Sequence, residues 1–104
     1  MIIQINTDNH IEGREALAEE AEASVQSALE HFTGQITRVE VHLGDENSHK
    51  GGQNDKRCAM EARLEGRRPV AVTHHAGTIE DAIDGAAGKL KRAIESTIGR
   101  LSNH

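Results

Sequence analysis

The hydrophobic period of this chain changes three times within 104 residues, and each change marks a boundary between helix and strand. Leu17, Ala21, Val25, Ala28, Leu29 and Phe32 recur at three- and four-residue intervals, the stripe of an amphipathic helix from about Gly13 to Phe32. Glu12, Glu15, Glu19, Glu22 and Glu30 fall on its opposite side, and Gly34 ends it. From Ile36 the period drops to two. Val39, Val41 and Leu43 alternate with Arg38, Glu40 and His42. Cys58, Met60, Ala62 and Leu64 alternate in the same way with Arg57, Ala59, Glu61 and Arg63. After the turn Gly66-Arg67-Arg68-Pro69, a strand runs from Val70 to His74. The helical period then returns in Ile79, Ile83, Ala86, Ala87, Leu90, Ile94, Ile98 and Leu101, opened by the capping-box pattern Thr78-Ile-Glu-Asp81. Residues 1–6, alternating around Ile3 and Ile5, add a strand at the start.

The predicted order is therefore β-α-β-β-β-α, with antiparallel hairpins joining the last three strands. Strands with one apolar face and helices with one apolar stripe bury them against each other. The expected fold is an α+β two-layer sandwich, a four-stranded sheet with two helices packed on one face. Residues 1–104 are too few for a second core, so one domain is expected. Gly85 and Gly88 cost the closing helix propensity, and close backbone approach is their expected use. Gly44–Asp55, polar throughout, reads as a long connection between two strands.

Composition excludes several functions. Phe32 is the single aromatic residue, so the stacking platforms of many single-strand RNA binders are absent. No apolar run is long enough for a membrane span, and Met1–Asn6 lacks the basic flank and apolar core of a signal peptide. With a single cysteine, Cys58, a reducing cytoplasm is the expected location. Cys58 falls on the apolar face of its strand, which argues against a nucleophile paired with His74 or His75. Those two histidines point to opposite faces of a regular strand, and only one of them could meet His42 across the sheet, too few for a metal site. The stretch from Asp45 to Lys56 fails as a calcium loop, because Lys50 takes the place of the glycine and Lys56 that of the bidentate glutamate. No Gly-rich phosphate loop fits. Neither enzyme activity nor a cofactor is expected.

Net charge is −5, but it is unevenly spread. Residues 1–52 hold ten acids and three bases, and residues 53–104 hold seven acids and nine bases. The nine are Lys56, Arg57, Arg63, Arg67, Arg68, Lys89, Lys91, Arg92 and Arg100. Lys89, Arg92 and Arg100 share one side of the closing helix, with Lys91 at its flank. A cationic track of this kind binds RNA phosphates by releasing counterions. Structured RNA is held through shape, phosphates and 2′-hydroxyls, so aromatic residues are not required. The competing view of the same residues is a solvated face with surface salt bridges; the exposed sheet side offers Arg38, Glu40, His42, Arg57, Glu61 and Arg63, which could form cross-strand ion pairs of little net stability.

Four short segments stand out by their order and spacing: Val70-Ala-Val-Thr-His-His75, Thr78-Ile-Glu-Asp-Ala-Ile-Asp-Gly-Ala-Ala-Gly-Lys-Leu-Lys-Arg92, Val39-Glu-Val-His-Leu43 and Arg63-Leu-Glu-Gly66. Together they resemble the ribosome hibernation-promoting factor family, also called ribosome-associated inhibitors or sigma-54 modulation proteins. The resemblance implies a short-form member, without the C-terminal dimerising domain of the long forms. It implies binding to the small ribosomal subunit in the decoding region, on 16S rRNA, with occlusion of the mRNA and tRNA sites in stress or stationary phase. Membrane and DNA are not implied partners, and weak self-pairing stays open. The chain departs from the family at Ser96-Thr97-Ile98-Gly99, where further lysines are usual, and in its acidic first helix. The alternative is a protein-interaction module of the same fold that uses that acidic helix away from the ribosome.

Overall fold

The computed structural model describes residues 1–8, 13–45 and 55–102, with side chains through Gly99. The elements are β1 (Ile2–Thr7), α1 (Arg14–Ala28), a 3-10 turn (Glu30–Phe32), β2 (Ile36–Asp45), β3 (Lys56–Leu64), β4 (Val70–Ala76) and α2 (Ile79–Ser102). The sheet order is β1-β2-β3-β4. β1 pairs with β2 in parallel, as a helical crossover requires, and the other pairs are antiparallel. Both helices cover the face that carries Val39, Val41, Leu43, Cys58, Met60 and Ala62, all at most 2% exposed. Ala21, Val25 and Leu29 of the first helical segment and Ile83, Leu90 and Ile94 of α2 close the core from above. The α+β sandwich read from the hydrophobic periods is the observed fold.

Three details differ from the sequence reading. The first helix ends at Ala28 and finishes in the 3-10 turn, which tucks Phe32 against the core. β2 contains a bulge: Ile36 pairs with Leu64 and Arg38 with Arg63, so Thr37 is one residue in excess. Its hydroxyl donates to the Arg63 carbonyl at 3.1 Å. The bulge is what lets Ile36 face the core together with Val39, against strict alternation. Strand pairing also extends to Asp45 and Lys56, leaving a shorter connection than Gly44–Asp55. Residues 46–54 of that connection, and with them Lys50, lie outside the described residues.

Gly13, in the left-handed region at φ +68, opens α1 without a side-chain cap. α2 has the expected cap: the Asp81 N–H donates to Thr78 Oγ1 at 3.1 Å. Gly85 serves the expected close approach, since the His74 ring occupies the space a Cβ there would need.

Candidate nucleic-acid interface

The strand pairings divide the predicted cations among separate regions. At the end of the sheet closed by the β3–β4 turn, Arg63 stands on the solvent face directly across from Arg38 of β2. Arg67 and Arg68 project from the turn itself and are exposed. Gly66 takes φ +71, the Glu65 N–H donates to the Gln35 carbonyl at 2.9 Å, and the Arg67 N–H donates to the Leu64 carbonyl at 3.2 Å. Those bonds fix the turn, so its two arginines leave a rigid base. Four arginines thus share one end of the sheet, two on its solvent face and two in the turn that closes it.

Arg38 belongs to this set, although the sequence alone suggests for it only a surface ion pair. The signal was present: β2 and β3 form one hairpin, and the pairing of that hairpin sets Arg38 opposite Arg63. The expected cross-strand ion pairs are corrected by the same register. Across the strands like meets like, Arg38 with Arg63 and Glu40 with Glu61. The ion pairs run along each strand instead, Arg38 to Glu40 at 3.3 Å and Arg63 to Glu61 at 3.4 Å. Arg38 also donates to the Gln4 side chain. Banding of this kind sets the guanidinium groups toward the turn and a carboxylate row behind them, with one carboxylate partner for each of the two strand arginines.

Lys56 and Arg57 sit at the opposite end of β3. The Lys56 ammonium lies 3.1 Å from Asp45 and 3.3 Å from Asp55. Hydrogen bonding to Asp45, with help from Asp55, raises its pKa above the usual lysine value. Two carboxylates on one ammonium leave this corner without excess positive charge. Arg57 lies on the solvent face beside Gly44, where the Asp8 carboxylate also reaches.

The α2 cations diverge around the helix. Lys89 donates to the Thr73 carbonyl of β4 at 3.0 Å. Lys91 faces α1 across a shallow groove of about 520 Å³ that also carries Glu20 and Asp84. Arg92 points to solvent, its guanidinium folded back beside Gly88. The side chain of Arg100 lies outside the described residues. α2 starts beside Asp45 and Lys56 and runs back over β3 and β4, so its later turns head toward the arginine end.

Cys58 is wholly buried, and burial pushes its thiol up to about 12, so it stays protonated at neutral pH. His74 faces α2 and His75 faces solvent. His42 stands across from Ala59 of β3, which separates it from both β4 histidines. Among the described residues, no three His, Cys, Asp or Glu side chains converge as metal ligands, and no helix is long and apolar enough to cross a membrane.

The fold is similar to two solved structures of low sequence identity. One is the N-terminal domain of Protein Y from Thermus thermophilus, with 18% identity and a TM-score of 0.74 over 93% of this chain and 99% of that one. The other is a ribosomal subunit interface protein from Coxiella burnetii, with 14% identity and a TM-score of 0.72 over 94% and 99%. No curated protein matches the chain. The model of the family described as sigma 54 modulation protein / S30EA ribosomal protein matches residues 3–102. Nearly the whole chain is thus covered, from the first strand through the last turn of α2, and the protein belongs to that family.

Proposed function

We propose that this protein is a ribosome-associated translation inhibitor, acting through residues 1–104 as one binding unit. It binds the small subunit in the decoding region, contacts 16S rRNA and occludes the mRNA and tRNA sites under stress or in stationary phase. Family membership supports the ribosome as partner. The observation that carries an RNA contact is the placement of Arg63 opposite Arg38 with Arg67 and Arg68 just beyond. Four arginines on a rigid hairpin end present planar donors to phosphates without any stacking residue.

The cations of α2, Lys89, Lys91, Arg92 and Arg100, extend that contact along the helix. Lys56 and Arg57 contribute least: two carboxylates hold the Lys56 ammonium, and both residues lie at the far end of β3 from the arginine set. The mechanism is occlusion and needs no cofactor.

Co-sedimentation with 30S and 70S particles at low and moderate salt tests the reading. Binding at low salt that fades as salt rises is the expected result, since each phosphate contact releases counterions. Folded protein absent from both particle fractions at low salt overturns it. A second reading, protein interaction through α1, is favoured by the exposed Glu15, Glu19 and Glu22. Charge reversal separates the two. Loss of particle binding with Arg63, Arg67 and Arg68 changed to Glu supports RNA contact. Loss only with the three glutamates neutralised supports the second reading.

A further inference from the structure

The two edges of the sheet are finished differently. At the free edge of β4, Lys89 occupies the Thr73 carbonyl. The free edge of β1 has no corresponding cover among the described residues. Residues 1–7 contain no charged side chain, proline or glycine, the devices that ordinarily blunt an edge strand. Ile2 is 61% exposed and Met1 37%, and Ile3 and Ile5 are only partly buried against the core.

The orientation of the edge follows from one hydrogen bond. The Asp8 N–H donates to the Leu43 carbonyl at 3.0 Å, toward β2. Backbone groups alternate sides along a parallel ladder, so those of Ile3, Ile5 and Thr7 face the open side.

α1 lies above this edge and supplies its charge. Ala21 and Val25 face the core, while Ser24, Ser27 and Ala28 line the groove toward α2. Helical rotation puts Glu15 and Glu22 on the flank away from α2, above the open edge, and both are exposed. A second copy pairing edge to edge would bring two such carboxylate flanks together. An extended cationic segment would meet the opposite situation.

We propose that the open edge of β1, overhung by Glu15 and Glu22 of α1, is a docking site for an extended basic polypeptide segment that adds to the sheet as a fifth strand. Main-chain bonds to Ile3, Ile5 and Thr7 hold the segment. Lysine or arginine stems at its inward positions cover the exposed parts of Ile3 and Ile5, and their charged ends reach the α1 carboxylates. Apolar residues at its outward positions cover Ile2. At its start this surface adjoins the arginine end, since Ile2 pairs with Arg38 and Arg38 donates to the Gln4 side chain, but the main-chain bonds to Ile3, Ile5 and Thr7 do not depend on RNA binding.

The test uses the whole chain and fluorescent heptapeptides, read by anisotropy. A peptide alternating lysine and valine is expected to bind at least about tenfold more tightly than a block peptide of the same composition or a glutamate–valine counterpart. Ile5→Pro removes an outward N–H while leaving the β2 ladder intact, and is expected to abolish the preference. Glu15→Lys with Glu22→Lys is expected to shift the preference to the glutamate–valine peptide, and carries the test if Ile5→Pro fails to fold. Equal binding of alternating and block peptides, unchanged binding by folded Ile5→Pro, or sedimentation of the free protein as a dimer through this edge overturns the proposal.

Discussion

The imidazole of His74 lies against the backbone of Gly85, filling the space that a Cβ on that helix residue would require. The Nδ1 atom of His74 is enclosed there and has no hydrogen-bond partner among the described residues. Ring and glycine are one packing unit that seats α2 on β4.

Gly85→Ala is therefore expected to destabilise, despite the better helix propensity of alanine. Propensity favours the change by about 1 kcal/mol. Forcing a methyl into the ring costs about 1–3 kcal/mol. His74→Ala alone opens a gap. The pair His74→Ala with Gly85→Ala is expected to be less destabilised than the two single losses combined, a coupling typical of residues in contact. Urea denaturation of the four proteins measures it, and additive losses would contradict the packing unit.

Most of the fold was legible because hydrophobic period reports directly which face of an element is buried. The stripes of both helices and the alternations of β2 and β3 are the observed core. The Thr37 bulge was not legible, because Ile36 and Val39 differ by three positions and read as irregular alternation until the pairing with Leu64 and Arg63 is known. The site was less legible for a related reason. Charge in sequence does not reveal which carboxylate reaches which cation. Asp45 is eleven residues from Lys56 yet bonds to it, and Arg38 reaches Arg63 only through hairpin register.

Burial of Cys58 makes a pH-dependent contribution to stability. In the unfolded chain a thiol ionises near pH 8.5. In the folded protein the value rises to about 12, because the thiolate would be desolvated. Below about pH 8.5 the thiol is neutral in both states and nothing is lost. Above it the unfolded state sheds a proton that the folded state keeps, so stability falls until the pH passes the folded value. The limiting slope is about 1.4 kcal/mol per pH unit. Denaturation between pH 8 and 10 is expected to show this decline in the wild type and a shallower one in Cys58→Ala. Parallel declines would mean that the thiol does not titrate as its burial requires.

The cap of α2 admits a simple measurement. Thr78 Oγ1 accepts from the Asp81 N–H at 3.1 Å, and the Ala82 N–H bonds the Thr78 carbonyl at 3.0 Å. Thr78→Ala keeps the second bond and loses the first, and is expected to cost about 1 kcal/mol. Thr78→Asp retains an acceptor and is expected to stay close to wild type. Thermal melts of the three proteins check the order, and a Thr78→Ala melt equal to wild type would remove the cap from the account.

Arg63 separates binding from stability. Its ion pair with Glu61 is on the surface, with the Arg63 side chain 55% exposed, so its loss costs little. Arg38 directly opposite is a like charge, and its repulsion disappears when Arg63 is neutralised. The two effects oppose, and Arg63→Gln is expected to change folding stability by less than about 0.5 kcal/mol. If the arginine end meets rRNA phosphates, the same substitution removes one counterion-releasing contact. Affinity for small subunits then falls at low salt, and the slope of log affinity against log salt becomes shallower by about 1. Co-sedimentation across a salt series gives that slope. An unchanged slope, with the protein as stable as wild type, would place Arg63 outside the contact and move the RNA interface onto α2.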